Sequence, residues 1–227
     1  MARSVSGNCV ARPLLWKITR QLAILLAVSP CFGMAYAKPC DSDTYEQALL
    51  SNKTSLVLDC DMHLRTGETV AKQLIFEGKT SSGITLDCGG GKLSSLDGNT
   101  IVVRSRGKDW REMSVDRPTD ITIRNCSIEG SVRIFGLAAN GQGALLRESS
   151  QRAGHTERAQ AAAPTRIHLE RISFSSKSRI PLYIAPGRTE VSIESSTFDG
   201  TLQHPTIYLD AESARNSIHG NIFRTIN

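Results

Sequence analysis

The chain has 227 residues, of which 22% are charged and only 5% are aromatic, and its formal net charge is +5. Four basic residues and no acidic ones lie in the first 37 residues: Arg3, Arg12, Lys17 and Arg20. Without them the chain holds 23 basic and 22 acidic residues. Such a nearly neutral segment lacks the broad positive potential of nucleic-acid-binding proteins, so no nucleic-acid partner is predicted.

Residues 1–37 have the pattern of a secretory signal peptide. A basic stretch precedes the apolar run of residues 22–28, and Ala35, Tyr36 and Ala37 form a small-x-small cleavage pattern. A membrane anchor is the alternative, but the apolar segment before the cleavage pattern is shorter than the roughly 20 residues a spanning helix needs. The pattern predicts a periplasmic or secreted protein without a membrane span after cleavage.

Cysteines outside the predicted signal peptide number four: Cys40, Cys60, Cys88 and Cys126. An even number in an oxidising compartment favours disulfides. Metal binding is the alternative, but the sequence contains no Cys-x-x-Cys or His-x-x-x-His spacing. We therefore predict structural disulfides, no metal site and no cofactor.

Residues 38–54 are predicted to form a capping segment with one short helix. Asp43 and Glu46 have the spacing of a capping box ahead of apolar residues. Beyond this segment, brief β-branched runs are broken by Gly, Asn, Asp and Ser, which indicates strands rather than helices.

An internal repeat is the most informative feature of residues 55–227. Residues 165–174 match residues 189–198 at a period of 24, and residues 214–223 follow 25 positions later. Further similar segments lie earlier in the chain: residues 120–128, and residues 56–60, which recur 28 positions on as residues 84–88. At least five coils of a solenoid are therefore predicted.

Each coil carries a second strand after the first, at residues 100–103, 132–135, 181–184 and 206–209. A unit of about 24 residues cannot bury its own apolar face, whereas stacked units share a continuous core. Alternation predicts inward ladders at Ile121 and Ile123, Ile167 and Leu169, and Val191 and Ile193, with a column of Phe174, Phe198 and Phe223. A β-sandwich also has short strands at regular spacing, but it does not explain a fixed period.

Several motifs carry a family resemblance: Asn125-Cys126-Ser127, Ser195-Ser196-Thr197-Phe198, Gly220-Asn221-Ile222-Phe223 and Leu86-Asp87-Cys88-Gly89-Gly90-Gly91. With the alternating runs around them, they resemble right-handed parallel β-helix proteins of the pectate-lyase-like superfamily, over roughly residues 55–227. The resemblance implies an all-β right-handed parallel β-helix (β-solenoid), a short helix capping its N-terminal end, and a role with polysaccharides.

We expect disulfides between Cys40 and Cys60, tying the capping helix to the first coil, and between Cys88 and Cys126, joining adjacent coils. The main rival is a bridge between Cys60 and Cys88, because the repeat places these two at equivalent positions.

Two long insertions, residues 104–119 and 137–164, separate the second strand of one coil from the first strand of the next. Insertions in repeat proteins map to one face, often the binding face, so both should share an edge. The second is poor in large apolar residues and is predicted to be mobile, with one helical turn over residues 144–148. The alternative is a pair of tolerated surface loops without function.

Beside this edge, alternation turns Arg133, Tyr183 and Tyr208 outward, and Asp210 and Arg104 hold the next outward position. Arg188 is a further candidate cation. Aromatic rings offer a flat face to sugar rings, and guanidinium groups bind carboxylates. The sequence therefore predicts a substrate-binding set for an acidic polysaccharide: Arg104, Arg133, Tyr183, Arg188, Tyr208 and Asp210. A solvated strand face is the alternative.

Catalysis is not assigned, because no pectinolytic motif is recognisable. The hypotheses are a lyase or epimerase acting on an acidic polysaccharide and a noncatalytic glycan-binding, structural or adhesive module. The last coil, beginning near Asn216, has no apolar segment after it, so a further chain or domain is predicted to cover it.

Overall fold

The computed structural model describes residues 38–51, 55–137, 143–176, 179–187, 190–200 and 204–225. The predicted signal peptide, residues 1–37, lies outside this part of the chain. Among the described residues, no helix is long and apolar enough to cross a membrane.

Within the described ranges the chain forms four α-helices and sixteen strands. The helices are α1 (Ser42–Leu49), α2 (Trp110–Val115), α3 (Gly143–Ser150) and α4 (His155–Ala162). The strands are β1 (Leu56–Val57), β2 (Met62–His63), β3 (Thr69–Val70), β4 (Leu74–Glu77), β5 (Thr85–Asp87), β6 (Lys92–Arg104), β7 (Thr119–Arg124), β8 (Ser127–Phe135), β9 (Thr165–Glu170), β10 (Ser173–Ser176), β11 (Leu182–Ile184), β12 (Val191–Glu194), β13 (Thr197–Gly200), β14 (Ile207–Leu209), β15 (Ser217–His219) and β16 (Ile222–Thr225).

The strands form two parallel sheets. The first sheet has the order β15-β12-β9-β7-β5-β2. The second sheet carries two columns of strands, one containing β3, β10, β13 and β16 and one containing β1, β4, β11 and β14. The long strands β6 and β8 run through both columns and join them. The predicted parallel β-solenoid is confirmed.

Register follows the predicted alternation. Ile167 pairs with Ile121 and Val191, and Leu169 pairs with Ile123 and Ile193. All six side chains are at most 1% exposed, so they form two continuous ladders in the core.

The predicted phenylalanine column is also present in the second sheet. The rings of Phe174 and Phe198 stack with centroids 4.6 Å apart, and those of Phe198 and Phe223 stack at 5.0 Å. The ring of Phe223 is 54% exposed because β16 is the outermost strand of its sheet in the described chain.

The proposed equivalence of residues 56–60 with residues 84–88 is wrong. Leu56 pairs with Leu74 in the second sheet, whereas Leu86 pairs with Met62 in the first. The two segments look alike only because both contain a Leu-Asp-Cys triplet, and such a short match does not distinguish one face of a coil from another. Cys60 and Cys88 therefore do not occupy equivalent positions.

Left-handed residues recur at two positions near the ends of four strands of the first sheet. Positive φ angles occur at Asp120, the second residue of β7, and at Asn125, just after that strand, and Arg166 and Arg171 hold the same places on β9. The pairs Glu190 with Ser195 and Arg215 with Gly220 repeat the pattern around β12 and β15. Each pair is five positions apart, so these four coils turn at the same two corners.

Side chains at these corners stabilise neighbouring coils. The Arg166 guanidinium donates to both carboxylate oxygens of Asp120, at 2.6 and 2.7 Å. Arg171 Nε donates to Asn125 Oδ1 at 2.7 Å, and Asn125 Nδ2 donates to Asp87 Oδ1 at 2.8 Å. These bonds offset part of the cost of the left-handed conformation, about 1–2 kcal/mol for a residue other than glycine.

The predicted N-terminal helix is present, but its cap differs from the prediction. Asp41, rather than Asp43, is the N-cap, and its carboxylate accepts a hydrogen bond from Thr44 N at 2.8 Å. Ala48 is fully buried in the solenoid core, and Tyr45 packs against that core.

Both predicted disulfides are confirmed. Cys40 is bonded to Cys60 beside the start of α1, and Cys88 is bonded to Cys126 across two consecutive coils.

The insertions fold into a small helical layer on one edge of the solenoid. Helix α2 lies in the first insertion, α3 and α4 lie in the second, and α2 packs against α4. Met113, Leu137, Ala159 and Ala162 form their buried core. The predicted helical turn at residues 144–148 is present as part of α3, whereas helix α4 was not predicted.

Two features dock this helical layer on the solenoid. Arg117 donates to the main-chain carbonyls at the end of α4, including that of Ala161 at 3.0 Å. Gly187 has φ +136°, and a Cβ there would lie 2.5 Å from Ala163 Cβ. Only glycine permits this close approach of the two chain segments, so the end of α4 packs directly against the main chain at Gly187.

Candidate functional site

Three predicted site residues form one column on the outer face of the second sheet. Tyr183 pairs with Arg133 on β8 and with Tyr208 on β14. Their neighbours Leu182 and Ile184 point into the core, so alternation turns the three side chains outward. We call Arg133, Tyr183 and Tyr208 the outer column.

Stacking organises the outer column. The rings of Tyr183 and Tyr208 lie 5.1 Å apart and within 4° of parallel. The Arg133 guanidinium lies over the other side of the Tyr183 ring, 5.5 Å from its centroid, and also donates to Ile180 O at 2.8 Å. Tyr208 is 39% exposed, so it presents the accessible ring face of the stack.

Burial shifts the ionisation of the outer column. Burial lowers the pKa of Arg133 from its ordinary value, and the charge of Arg179 acts in the same direction. Burial also raises the pKa of Tyr183, with the Asp210 carboxylate as the next contribution. At neutral pH the guanidinium is charged and the phenol keeps its proton, because arginine and tyrosine start from pKa values above about 12 and near 10.

The same column is apolar in the earlier coils. In the two preceding strands of this column, β6 and β4, the residues that pair in register with Arg133 are Val102 and then Ile75. Both are at most 5% exposed. They pack with Phe135 and Ala185 into a second small cluster, which Tyr183 also contacts. Within this column, polar side chains therefore begin at Arg133 and continue into the last coils.

Asp210 lies beside the outer column. Its Oδ2 is 3.5 Å from the Tyr183 hydroxyl, and its Oδ1 accepts the main-chain N–H of Ala211 at 2.8 Å. The carboxylate thus faces the phenol from the neighbouring coil.

The structure separates Arg104 from this group. Arg104 pairs with Phe135 on β8, and its Nε donates to Glu77 Oε1 at 2.7 Å. Arg104 thus forms an ion pair within earlier coils. Arg104 and Asp210 face outward at equivalent positions of their strands, but they are three strands apart. Adjacent strands are about 4.8 Å apart, so roughly 14 Å separates them along the solenoid axis. Arg188 lies outside the described residues.

A groove between α3 and the turn after β14 extends the site. Its volume is about 450 Å³, and its lining includes Asp210, Glu212, Leu146, Arg147 and His155. Sequence reasoning missed the contributions of α3 and α4, because the second insertion was interpreted as a loop. The alanine-rich segment at residues 159–163 could have indicated a helix, since alanine has the highest helix propensity.

A contact between a histidine and a glutamate links the helical layer to this groove. His155 Nε2 lies 3.3 Å from Glu212 Oε1, and His155 Nδ1 lies 3.1 Å from the Ser149 hydroxyl. Among the described residues, no group of three His, Cys, Asp or Glu side chains is placed to hold a metal ion.

No family model matches the chain, and neither a curated protein nor a solved structure matches it.

Proposed function

We propose that the protein binds an acidic polysaccharide across the outer column and the adjoining groove. The observation that carries this proposal is the continuous stack of Arg133, Tyr183 and Tyr208, which ends in an exposed ring. A sugar ring packs on such a face through its C–H groups, and the guanidinium supplies a positive charge next to it.

The shape of the region supports a chain-like ligand. The outer column runs across the strands, perpendicular to their length, and the side chains of consecutive coils recur about every 4.8 Å. The groove beside Asp210 continues this surface toward α3. A polymer can therefore contact several coils at once, while a small sugar would contact one.

Three finer expectations belong to the same proposal. The solenoid winds right-handed, as in the pectate-lyase-like superfamily that the motifs resemble. Helix α1 covers the N-terminal end of the core, where its Ala48 is buried. The chain is exported to the periplasm or secreted, which two disulfides support because such bonds persist in oxidising compartments.

The test removes the exposed ring and the cation together. Arg133→Ala combined with Tyr208→Ala should weaken binding to an oligouronate by tenfold or more, since each lost contact contributes on the order of 1–3 kcal/mol. The matched control is Thr122→Ala with Ser192→Ala, on the outer face of the first sheet. Calorimetric titration should show unchanged binding for the control, and equal losses in both pairs would reject the outer column as the binding face.

A second candidate function is β-elimination on the same polymer, favoured by the contact between Tyr183 and Asp210. In this reaction a base removes the C5 proton of a uronate, a C4–C5 double bond forms, and the glycosidic oxygen leaves with a proton. The raised pKa of Tyr183 keeps that phenol as a proton donor, and Arg133 would neutralise the uronate carboxylate. Alginate or pectate treated with the protein should then yield an unsaturated product that absorbs in the ultraviolet. Binding without formation of this product would reject β-elimination and support the noncatalytic function.

A further inference from the structure

A second cavity lies within the helical layer. Its volume is about 280 Å³, and it is lined by residues of α2, α3 and α4 and by Leu137. Its apolar walls are Trp110, Leu137 and Leu145, and its basic side chains are Arg111, Arg152 and Arg158. The outer column does not line it, so it is separate from the polysaccharide surface proposed above.

The acidic side chains of this cavity are already engaged. Asp109 caps α2, accepting hydrogen bonds from the main-chain N–H groups of Arg111 at 2.7 Å and Glu112 at 3.1 Å. Glu148 is paired with Arg152 at 2.6 Å. Both carboxylates therefore have partners before any ligand enters.

Two guanidinium groups in the cavity have no carboxylate partner among the described residues. Arg111 contacts the face of the Trp110 ring, 5.0 Å from its centroid. Arg158 makes four hydrogen bonds, all to neutral acceptors, namely the hydroxyl and carbonyl of Ser149 and the carbonyls of Arg152 and Ala153. The cavity thus combines apolar walls with positive charge that the protein itself leaves unbalanced.

Two of the side chains that line the cavity, Leu137 and Ser149, are held in place before binding. Leu137 is 1% exposed and belongs to the buried core of the helical layer. Ser149 is 7% exposed, and its hydroxyl contacts both Arg158 and His155. These two positions lose little conformational entropy when a ligand binds.

We propose that this cavity binds a small carboxylic acid with a single aromatic ring. Ligand cavities usually span about 300–1,000 Å³, and a volume of about 280 Å³, just below this range, suits a ligand with one ring. The ring would pack between Trp110 and the leucine side chains, as aromatic pairs do at 4.5–7 Å. The carboxylate would accept hydrogen bonds from Arg111, whose planar group fits it in a bidentate way. A polyhydroxylated sugar acid would leave its hydroxyl groups against the apolar walls.

Trp110 provides a local readout of binding. The chain contains two tryptophans, and the other is Trp16 in the predicted signal peptide. In full-length protein carrying Trp16→Phe, all tryptophan fluorescence therefore comes from Trp110 in the cavity. Benzoate should change the Trp110 fluorescence in a saturable way, and calorimetry should give a dissociation constant of about 1 mM or tighter.

Variants and analogues decide the outcome. Arg111→Gln should raise the dissociation constant about tenfold without changing the melting temperature, because it removes one charge-assisted contact. Arg65→Gln is the matched control, since Arg65 lines a separate groove beside α1, and this variant should bind benzoate as the parent does. Benzamide, which lacks the charge, should bind about tenfold more weakly. Glucuronate binding as tightly as benzoate, equal losses in both variants, or no saturable signal would each overturn the proposal.

Discussion

The solenoid and the helical layer on its edge are stabilised in different ways. In the solenoid, each coil repeats the contacts of the one before, and the ladders through Ile167 and Leu169 bury the same positions in successive strands. The helical layer has a single small core around Met113 and Leu137 and depends on docking at Gly187. Repetition therefore distributes stability along the solenoid, whereas the helical layer concentrates it in a few contacts.

The largest expected effect comes from a charge placed in the repeated core. Leu169→Asp should prevent folding, because an unpaired buried carboxylate costs several kcal/mol against a total stability of about 5–15 kcal/mol. His168→Asp, on the neighbouring outward position, should leave the protein folded. Circular dichroism and urea denaturation of both variants check this, and similar losses in the two would contradict the alternation of β9.

Disulfide removal should come next, and it should affect only the solenoid. The chain-entropy model assigns about 4 kcal/mol to the loop closed by Cys88 and Cys126 and about 3 kcal/mol to the shorter one closed by Cys40 and Cys60. Double replacement of Cys88 and Cys126 by alanine should therefore lower the free energy of unfolding more than the same change at the other pair. The reverse order, measured by urea denaturation, would indicate that the shorter link contributes more than loop entropy.

A smaller and local effect is expected where the two regions meet. Gly187→Val would place a Cβ 2.5 Å from Ala163 Cβ and 2.7 Å from Ala159 O. We expect a loss of about 1–3 kcal/mol, with the helices detaching while the solenoid persists. Limited proteolysis should then cleave residues 143–162 faster.

The control for this contact is Gly143→Ala, where an added Cβ meets no atom within 4 Å. It should leave the cleavage rate near that of the parent. A Gly187→Val protein that resists protease as well as its parent would show that docking does not depend on this close approach.

The smallest expected effect is pH-dependent. Burial alone would raise the pKa of Asp87, but hydrogen bonds from Asn125, Gly89 N and Arg124 outweigh it and lower the pKa below its ordinary value. A lowered carboxyl pKa stabilises the fold above the unfolded value of about 4, and this stabilisation is lost as the pH falls through the folded value. Asp87→Asn should therefore cost about 1–2 kcal/mol at pH 7 and progressively less below pH 4.

The comparison for this variant lies in the helical layer. Glu148 and Arg152 form an exposed pair, with side chains 59% and 68% exposed. Glu148→Gln should change the free energy of unfolding by less than about 0.5 kcal/mol at any pH, since surface pairs contribute little. Equal pH profiles for Asp87→Asn and Glu148→Gln in urea titrations would refute the role of the Asp87 cluster.

Periodic residues made the solenoid predictable from sequence. The alternation of apolar and polar residues around Ile123 and Leu169 indicates which side chains are buried. The nearly constant spacing between similar segments indicates that the coils stack. The equivalence of residues 56–60 with 84–88 failed because a short match carries no information about which face of the coil it occupies. The cap at Asp41 was missed because the spacing of Asp43 and Glu46 fits a capping box equally well.

The candidate site was predictable only where it lies on strands. Alternation placed Arg133, Tyr183 and Tyr208 in one row, and their mutual stacking follows from parallel pairing. The groove and the second cavity were not predictable, because they depend on how α3 and α4 pack, and no period links those helices to the coils. Arg104 was misplaced for a different reason: its side chain pairs with Glu77, its register partner on β4 in the previous coil.

The paired left-handed corners have a consequence for how such a protein can change in length over evolution. Asp120 and Asn125, or Arg166 and Arg171, mark each rung as a unit of constant span. Duplication of the 24 residues that separate Ile167 from its partner Val191 would add one rung with both corners and the core ladders in register. A duplication that did not return the chain to the same corner would shift the core ladders out of register, so whole coils are the units that can be gained or lost.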